Sequence, residues 1–286
     1  MALFIRRSSM LGCKLTVAER PECEARIRKR WPRLIFRGIT QSKMNIPHRP
    51  SSLSAHSFTF GGETLVSVDV AALWWPREQA LIVADLHLEK GSWFAERGQM
   101  LPPYDSAATI KRLTQLADMW EARAIFCLGD NFHDDAGVSR LPEKAVHALR
   151  HLASRTQIHW IVGNHDSGIA GPTGGKVHEE IALNGLTMRH IARMKACEPE
   201  LSGHYHPKMR TRLHDRIVSR PCFVMDECKL ILPAFGAYAG GLDICDEAIR
   251  SHFPAGMTAM VHIRQRLCQF PLSVTEGGVP KPSTVA

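Results

Sequence analysis

The chain has 286 residues, of which 44% are hydrophobic and 22% are charged, and its formal net charge is +8. This composition is typical of a globular protein, and no stretch approaches the roughly 18 consecutive apolar residues that a membrane-spanning helix requires. The first 50 residues contain 12 Lys and Arg but only 3 acidic residues, whereas the rest of the chain contains 24 basic and 25 acidic residues. A transmembrane protein is therefore excluded, and the net charge does not indicate that the folded domain binds nucleic acid.

Residues 1–54 are predicted to be a basic, disordered extension, because prolines interrupt the segment and no helical or strand periodicity persists in it. Two interpretations stay open. Either translation begins at Met44 and the preceding residues are an artefact of gene calling, which we favour, or the segment is an arm that binds nucleic acid. Residues 55–272 are predicted to form one domain. Residues 273–286, which are rich in Gly, Pro, Ser and Thr, are predicted to be a disordered tail.

Hydrophobic patterns within the domain predict an α/β fold. Short, wholly apolar runs are typical of buried strands, and apolar residues at helical spacing predict amphipathic helices. In chain order the predicted elements are a strand within residues 64–75, a strand at 80–84, a helix at 105–120, a strand at 124–128, a helix at 141–153, a strand at 158–162, and strands at 186–190, 229–233 and 258–264. From the strand at 80–84 onward, the first half follows the order β-α-β-α-β, and the second half is mainly strands.

The eight cysteines give a prediction about the compartment. None of them forms a C-x-x-C pair, and no convincing signal peptide precedes them. Thiols in this arrangement are typical of a reducing environment. We therefore expect reduced cysteines and a cytoplasmic protein.

Polar motifs follow directly after the predicted strands. In chain order they are Asp85 with His87, Asp130 after Gly129, Asn164 with His165 and Asp166 after Gly163, His190, and His204 with His206 after Gly203. Sheet proteins place reactive side chains just beyond the ends of strands, where loops vary on a rigid scaffold. Each motif alone occurs by chance in many sequences, but five in this order, each after an apolar run, indicate one site. Its carboxylate and imidazole groups are typical ligands of divalent metal ions.

The series from about residue 80 to residue 207 resembles the calcineurin-like metallophosphoesterase superfamily. Two of its motifs, Gly-Asp-Asn-Phe-His-Asp at 129–134 and Gly-His-Tyr-His-Pro at 203–207, are similar to those of the bacterial DNA-ligase-associated metallophosphoesterases. The resemblance implies a four-layer α/β/β/α sandwich and two divalent metal ions, with manganese favoured over iron, zinc or magnesium. It also implies a phosphodiester substrate, with DNA as a candidate, and association with a DNA ligase and a helicase in DNA repair.

The resemblance also implies a role for each residue of the motifs. Asp85, His87 and His206 would hold the first ion, Asn164, His190 and His204 the second, and Asp130 would bridge both. His190 is followed by Ile191 and Ala192, which departs from the His-Gly or His-x-Pro context of the broader family. His165 would stabilise or protonate the leaving oxygen, and Asp166 would orient the His165 ring and raise its pKa. The alternative for Asp166 is a turn or helix-capping residue.

A second departure concerns the substrate. The protein phosphatases of the superfamily carry an Arg soon after their G-D-x-x-D motif, whereas this chain has His133, Asp134 and Asp135 there and Arg140 further on. His133 is either a phosphate contact or a structural residue. Because acidic residues would repel a dianionic monoester, we expect a phosphodiesterase, such as an endonuclease or an enzyme that processes DNA ends. The alternatives are a phosphomonoesterase or nucleotide hydrolase, and an inactive scaffold subunit, against which the intact ligand set argues.

Overall fold

The computed structural model describes residues 55–164, 166, 173–194, 198–213, 216–263, 266–274 and 280–282. The predicted extension at 1–54 and the predicted acid His165 lie outside these residues. Within the segment predicted to be a tail, residues 273–274 end one strand and Pro280–Pro282 pairs with that strand. Among the helices of the described residues, none combines the length and apolar character needed to cross a membrane.

The first half of the domain forms a seven-stranded sheet in which the strands lie side by side in chain order. These strands are β1 (His56–Phe60), β2 (Glu63–Asp69), β3 (Ala72–Trp75), β4 (Ala80–Val83), β5 (Ala124–Leu128), β6 (Gln157–Ile161) and β7 (Lys176–His178). Strands β1 to β4 pair antiparallel, and β4 to β7 pair parallel. The three apolar runs predicted as buried strands become β4, β5 and β6.

The single strand predicted within residues 64–75 is wrong, because this stretch is the hairpin of β2 and β3. Its turn is stabilised by Asp69, whose Oδ1 accepts a hydrogen bond of 3.1 Å from the backbone N–H of Ala71, a local contact typical of Asp in turns. Residues on both faces of the hairpin are buried. The apolar pattern therefore continues through the turn and hides it.

The described residues contain five helices, which are α1 (Lys90–Ala95), α2 (Asp105–Met119), α3 (Gly137–Arg140), α4 (Glu143–Ala153) and α5 (Glu247–Arg250). The two predicted helices correspond to α2 and α4, and α4 begins two residues later than expected, after Pro142. The apolar side of α2 is buried: Ile110, Leu113 and Ala117 pack in one core cluster with residues of β4, β5 and β6. Helices α2 and α4 thus cover the outer face of the first sheet.

The second half forms a nine-stranded sheet. Its strands in chain order are β8 (Ile181–Leu183), β9 (Leu186–Met188), β10 (Glu200–Ser202), β11 (Lys208–Leu213), β12 (Arg216–Met225), β13 (Lys229–Ile231), β14 (Met257–Ile263), β15 (Arg266–Val274) and β16 (Pro280–Pro282). Across the sheet the order is β16-β15-β14-β12-β13-β10-β9-β8, and β11 pairs with β12 outside this row. The predicted change to a strand-rich second half is confirmed.

The two sheets pack face to face, since alternate residues of both contribute to one core. Phe126 and Leu128 of the first sheet share this core with Phe223 and Met260 of the second. The opposite face of the second sheet packs against α5 and its flanking loops, where Ile249 is fully buried. The order of layers is helices, sheet, sheet and a thin helical layer, and the predicted α/β/β/α sandwich is confirmed.

Candidate metal centre

Strands from both sheets end at one place, where six of the predicted site residues form two clusters. Asp85, which follows β4, and Asp130, which follows β5, come from the first sheet. His190 follows β9, and His204 and His206 follow β10, which pairs parallel with β9 in the second sheet. The clusters are Asp85 with His87 and His206, and Asp130 with His190 and His204; within each, the possible ligand atoms lie within 4.8 Å of one another.

In the first cluster, Nε2 of His87 lies 3.1 Å from Nε2 of His206, and Oδ1 of Asp85 lies 3.5 Å from the latter atom. Asp85 is fully buried, and both of its oxygens accept a hydrogen bond from the backbone N–H of His204. The chain thus fixes the Asp85 carboxylate with a backbone donor. Two imidazole nitrogens and one carboxylate oxygen converge here.

In the second cluster, Nε2 of His190 lies 3.1 Å from Nδ1 of His204 and 3.3 Å from Oδ1 of Asp130. The other ring nitrogen of His190, Nδ1, lies 3.0 Å from the carbonyl oxygen of Leu128. A carbonyl only accepts, so Nδ1 carries the proton and Nε2 presents its lone pair toward the cluster, as is common for metal-binding histidines. His190 therefore joins the cluster despite its unusual sequence context.

Asp130 lies between the two clusters. Its Oδ1 faces His190 at 3.3 Å, and its Oδ2 lies 4.0 Å from Nε2 of His87. The side chain is buried, and its Oδ1 has no hydrogen-bond partner among the described residues. A carboxylate has two oxygens and can contact two cations at once, so this position suits the bridging role expected for Asp130.

Strained backbone is concentrated in the clusters. Five of their six residues have positive φ, from 43° to 71°, and these residues are Asp85, His87, Asp130, His204 and His206. Residues other than glycine rarely adopt this left-handed conformation, which costs on the order of 1–3 kcal/mol per residue, and such residues tend to gather at functional sites. After Gly203, the left-handed residues show that the chain bends at His204 and His206 themselves.

Glycines in the motifs make room for the carboxylates. A Cβ atom at Gly163 would lie 2.1 Å from the backbone nitrogen of Asp130, and one at Gly203 would lie 2.5 Å from Oδ2 of Asp85. Both distances are far inside van der Waals contact. The glycine before each downstream motif therefore lets its loop pack directly against a carboxylate from an upstream motif.

Asp166 joins the loops that follow β5 and β6. It is 3% exposed, and its oxygens accept hydrogen bonds from the backbone N–H groups of Asn131, Phe132 and Gly163 and from Nδ2 of Asn131. Burial raises the pKa of the Asp166 carboxyl group, and the backbone donors oppose this rise. These hydrogen bonds hold the two loops together, and only the bond from Gly163 is the local contact that a turn residue makes. Its expected action on His165 involves a residue outside the described ones and stays a prediction.

Asn164 lies next to Gly163 in the same loop and has an exposed side chain. Because Gly163 packs against Asp130, position 164 is close to the second cluster. Its role as a ligand stays a prediction.

The structure places His133 beside the first cluster, where its ring packs edge-on against His87 and Trp93, with centroids 5.5 Å and 4.8 Å apart. Among the described residues, Arg140 makes no contact with a residue of either cluster. It forms an ion pair with Asp134, donates from Nε to Oγ of Ser92 at 3.0 Å, and lies 3.6 Å from Glu96. The expectation that Asp134 repels a dianionic substrate is therefore wrong, because Arg140 neutralises its charge.

Sequence reasoning missed the residues behind His204. The ring of Tyr205 packs edge-on against the ring of His204, with centroids 5.0 Å apart, and the Tyr205 hydroxyl lies 2.7 Å from Nε2 of His252. Burial and the charge of His190 lower the pKa of His204, although Asp130 and Asp85 oppose this. A lowered pKa favours the neutral ring that a metal requires. Since His252 lies 47 residues beyond Tyr205, no local sequence motif indicates this contact.

Among the cysteines of the described residues, Cys127, Cys222 and Cys268 are free thiols. Burial raises the pKa of the Cys127 and Cys222 thiols, which makes both unreactive. The expectation of reduced cysteines in the whole chain stays a prediction.

Comparisons with known proteins agree with this geometry. The family model for the calcineurin-like phosphoesterases matches residues 79–236. Among solved structures, the nuclease MPE of Pseudomonas putida is 27% identical, with a TM-score of 0.61, over 77% of this chain and 100% of that chain. A protein of unknown function from Aquifex aeolicus, AQ665, is 12% identical over 39% of this chain and 60% of that chain, and its TM-score of 0.29 does not indicate a shared fold.

No curated protein sequence matched the chain. The matched residues 79–236 make up more than half of the chain and contain every residue of both clusters. The chain therefore belongs to the calcineurin-like phosphoesterase family and is a metal-dependent phosphoesterase.

Proposed function

We propose that this phosphoesterase is a phosphodiesterase that cleaves DNA with two divalent ions held in the two clusters. The observation that carries the proposal is the position of Asp130, whose two oxygens face one cluster each. The similarity to a nuclease supports DNA as the substrate, since the match covers the whole of that chain.

The donor groups fit divalent cations. The buried Oδ1 of Asp130 receives no hydrogen bond from a described residue, and an unpaired buried carboxylate oxygen is costly unless a cation completes it. The remaining donors are imidazole nitrogens and the Asp85 carboxylate, a set that suits manganese, iron or zinc. Manganese as the native ion, and Asn164 as a further ligand of the second ion, are part of the proposal.

When bound, two such ions would polarise the phosphate and lower the pKa of a water molecule between them. The chain itself contributes orientation. Leu128 fixes the ring of His190, the backbone of His204 fixes Asp85, and Tyr205 packs against His204. His165 is proposed to stabilise the leaving oxygen or to give it a proton.

The preference for diesters rests on the contacts of Arg140. A phosphomonoester carries nearly two negative charges at neutral pH, and enzymes that prefer monoesters commonly match the second charge with a cation beside the metals. Arg140, which could have been this cation, is bound to Asp134, Ser92 and Glu96. The association with a DNA ligase and a helicase is proposed on the resemblance alone, and the cytoplasmic location is proposed on the cysteine pattern.

The test is a substrate panel with protein stripped by a chelator and reconstituted separately with Mn²⁺, Fe²⁺, Zn²⁺ or Mg²⁺. Supercoiled plasmid, a single-stranded oligonucleotide, bis(4-nitrophenyl) phosphate and 4-nitrophenyl phosphate are compared. We expect Mn²⁺ to restore DNA cleavage, and the diester to have the higher kcat/KM of the two nitrophenyl substrates. A higher value for the monoester supports the phosphomonoesterase alternative. Bound metal without turnover of any substrate supports the scaffold alternative.

A further inference from the structure

Two lysines follow closely after the two histidines of the first cluster in the chain. Lys90 begins α1, three residues after His87, and Lys208 begins β11, two residues after His206. Because the Nε2 atoms of the two histidines are 3.1 Å apart, the segments that carry the lysines diverge from adjacent positions in the first cluster.

The loop at residues 236–243 runs along both segments. At one end, the backbone N–H of Gly236 donates to the carbonyl oxygen of Asp85 at 3.1 Å. At the other end, Gly241 packs on the carbonyl of His206 and on the stem of Lys208, since a Cβ atom there would lie 2.3 Å and 2.8 Å from them. The Lys208 stem is therefore held at the edge of the first cluster.

The charge of Lys208 acts on the ammonium group of Lys90. Burial and then the charge of Lys208 lower the pKa of Lys90, although Asp105 opposes this. The Nζ of Lys208 makes only a long contact of 3.4 Å with the carbonyl oxygen of Ala239. Within the described part of the chain, neither ammonium group forms an ion pair with a carboxylate within 4.0 Å.

Two ammonium groups near the first cluster, neither in an ion pair with a described carboxylate within 4.0 Å, favour the binding of an anion there. A phosphate is the anion that a phosphoesterase brings to this place. Arg140 does not compete for it, because its guanidinium already pairs with Asp134 and Glu96.

We propose that Lys90 and Lys208 form an anion subsite that binds the phosphate of a nucleic-acid strand adjacent to the phosphodiester being cleaved. The adjacent phosphate is favoured over the reacting one because both lysines begin elements that lead away from the clusters. Neither forms an ion pair with Asp85 or Asp130. The proposal rests on the proposed cleavage of DNA, and it adds that the enzyme requires a substrate with at least two consecutive phosphates for full binding.

The experiment compares the double variant Lys90→Met/Lys208→Met with the wild type. Methionine keeps an unbranched stem and removes the charge. The control is Lys111→Met/Lys144→Met, which removes two charges from exposed positions on α2 and α4. A fluorescein-labelled single-stranded oligonucleotide with phosphorothioate linkages, which keep the charge and resist cleavage, is titrated into each Mn²⁺-loaded protein at several salt concentrations.

We expect the Kd of the subsite variant to rise roughly tenfold at about 0.1 M salt. The slope of log K against log salt should flatten by about 0.7, the value for one lost phosphate contact on a single strand. The control variant should bind as the wild type does. In turnover, the loss of kcat/KM on an unmodified oligonucleotide should exceed the loss on bis(4-nitrophenyl) phosphate by at least about tenfold, because the small diester has no adjacent phosphate.

Two results would overturn the subsite. One is a double variant that binds the oligonucleotide with the wild-type Kd and salt slope. The other is an equal loss of kcat/KM on both substrates, which would place the lysines at the reacting phosphate. Failure of the proposed function looks different: the wild type would bind the phosphorothioate strand in a lysine-dependent way but leave the unmodified strand uncut.

Discussion

Gly163 packs against Asp130 so closely that a Cβ atom at position 163 would lie 2.1 Å from the Asp130 backbone nitrogen and 2.4 Å from its Oδ1. The loop after β6 and the loop after β5 therefore together hold the carboxylate that is proposed to bridge the two ions. A methyl group at residue 163 has to displace Asp130, its own loop, or both.

The variant Gly163→Ala should bind less metal and be much less active, whereas its unfolding free energy should fall only modestly. Overpacking of this kind costs about 1–3 kcal/mol of unfolding free energy, and a displacement of about 1 Å at a reacting centre costs roughly 10²-fold in rate. Metal content and kcat/KM on bis(4-nitrophenyl) phosphate are the measurements. Gly240→Ala is the matched control, because a Cβ atom at Gly240 meets nothing within 4 Å. Wild-type activity in Gly163→Ala would show that the loop shifts without moving Asp130.

The variant Asp130→Asn should lower the occupancy of both ions together. An amide keeps the size of the side chain but offers one neutral oxygen in place of two charged ones, so it cannot bridge two cations. We expect kcat/KM to fall by roughly 10³-fold or more, which corresponds to about 4 kcal/mol of transition-state stabilisation. Metal analysis after dialysis and kinetics with added Mn²⁺ measure this. Asp118→Asn, which breaks only an exposed ion pair with Arg155, serves as the control. Loss of one ion alone from Asp130→Asn would contradict the bridge.

The buried strands could be predicted from sequence because their burial leaves a local signal. Ala124–Leu128 is apolar throughout and is β5 over the predicted residues. The hairpin of β11 and β12 left no such signal, since its outer part is polar and even Ile217 is 60% exposed. Its pairing depends on register between two strands and on few buried side chains.

The candidate site was predictable in its residue types but not in its supports. Spacing after apolar runs indicated Asp130 and His190, and both lie in one cluster. The clamp by Asp166 and the contact of His252 with Tyr205 depend on tertiary packing across 35 and 47 residues. Hydrogen bonds over such separations leave no periodicity in the chain. The left-handed backbone at the cluster residues is also set by tertiary contacts that sequence propensity does not report.

The variant His165→Ala should keep both ions and lose roughly 10²–10⁴ in kcat, the usual contribution of a positioned proton donor. The loss should be smaller for bis(4-nitrophenyl) phosphate, because nitrophenolate leaves without protonation, and larger for an oligonucleotide. His204→Ala provides the contrast, since removal of a cluster residue should reduce the bound metal. If His165→Ala loses metal to the same extent, His165 is a ligand and not an acid.

The histidine between the two sheets should make the fold sensitive to acid. Nε2 of His262 on β14 lies 2.6 Å from Oγ of the fully buried Ser67 on β2. Burial, and then the charge of His56, lower the pKa of His262, although Asp69 opposes this. The folded protein therefore binds a proton at His262 less readily than the unfolded chain, whose histidines titrate near pH 6.5.

Stability from the neutral His262 is thus fully present above about pH 6.5 and declines as the pH falls below that value, until the folded state also takes up the proton. His262→Gln, which can still hydrogen bond to Ser67, should lose less unfolding free energy than the wild type between about pH 7 and pH 5. Urea denaturation of the metal-free protein at each pH measures this and avoids titration of bound ligands. His147→Gln is the control, because the His147 side chain is 74% exposed and should leave the wild-type pH dependence unchanged. If His262→Gln declines as steeply as the wild type, the acid sensitivity arises elsewhere, and His159 and His252, whose pKa values burial also lowers, are the next positions to test.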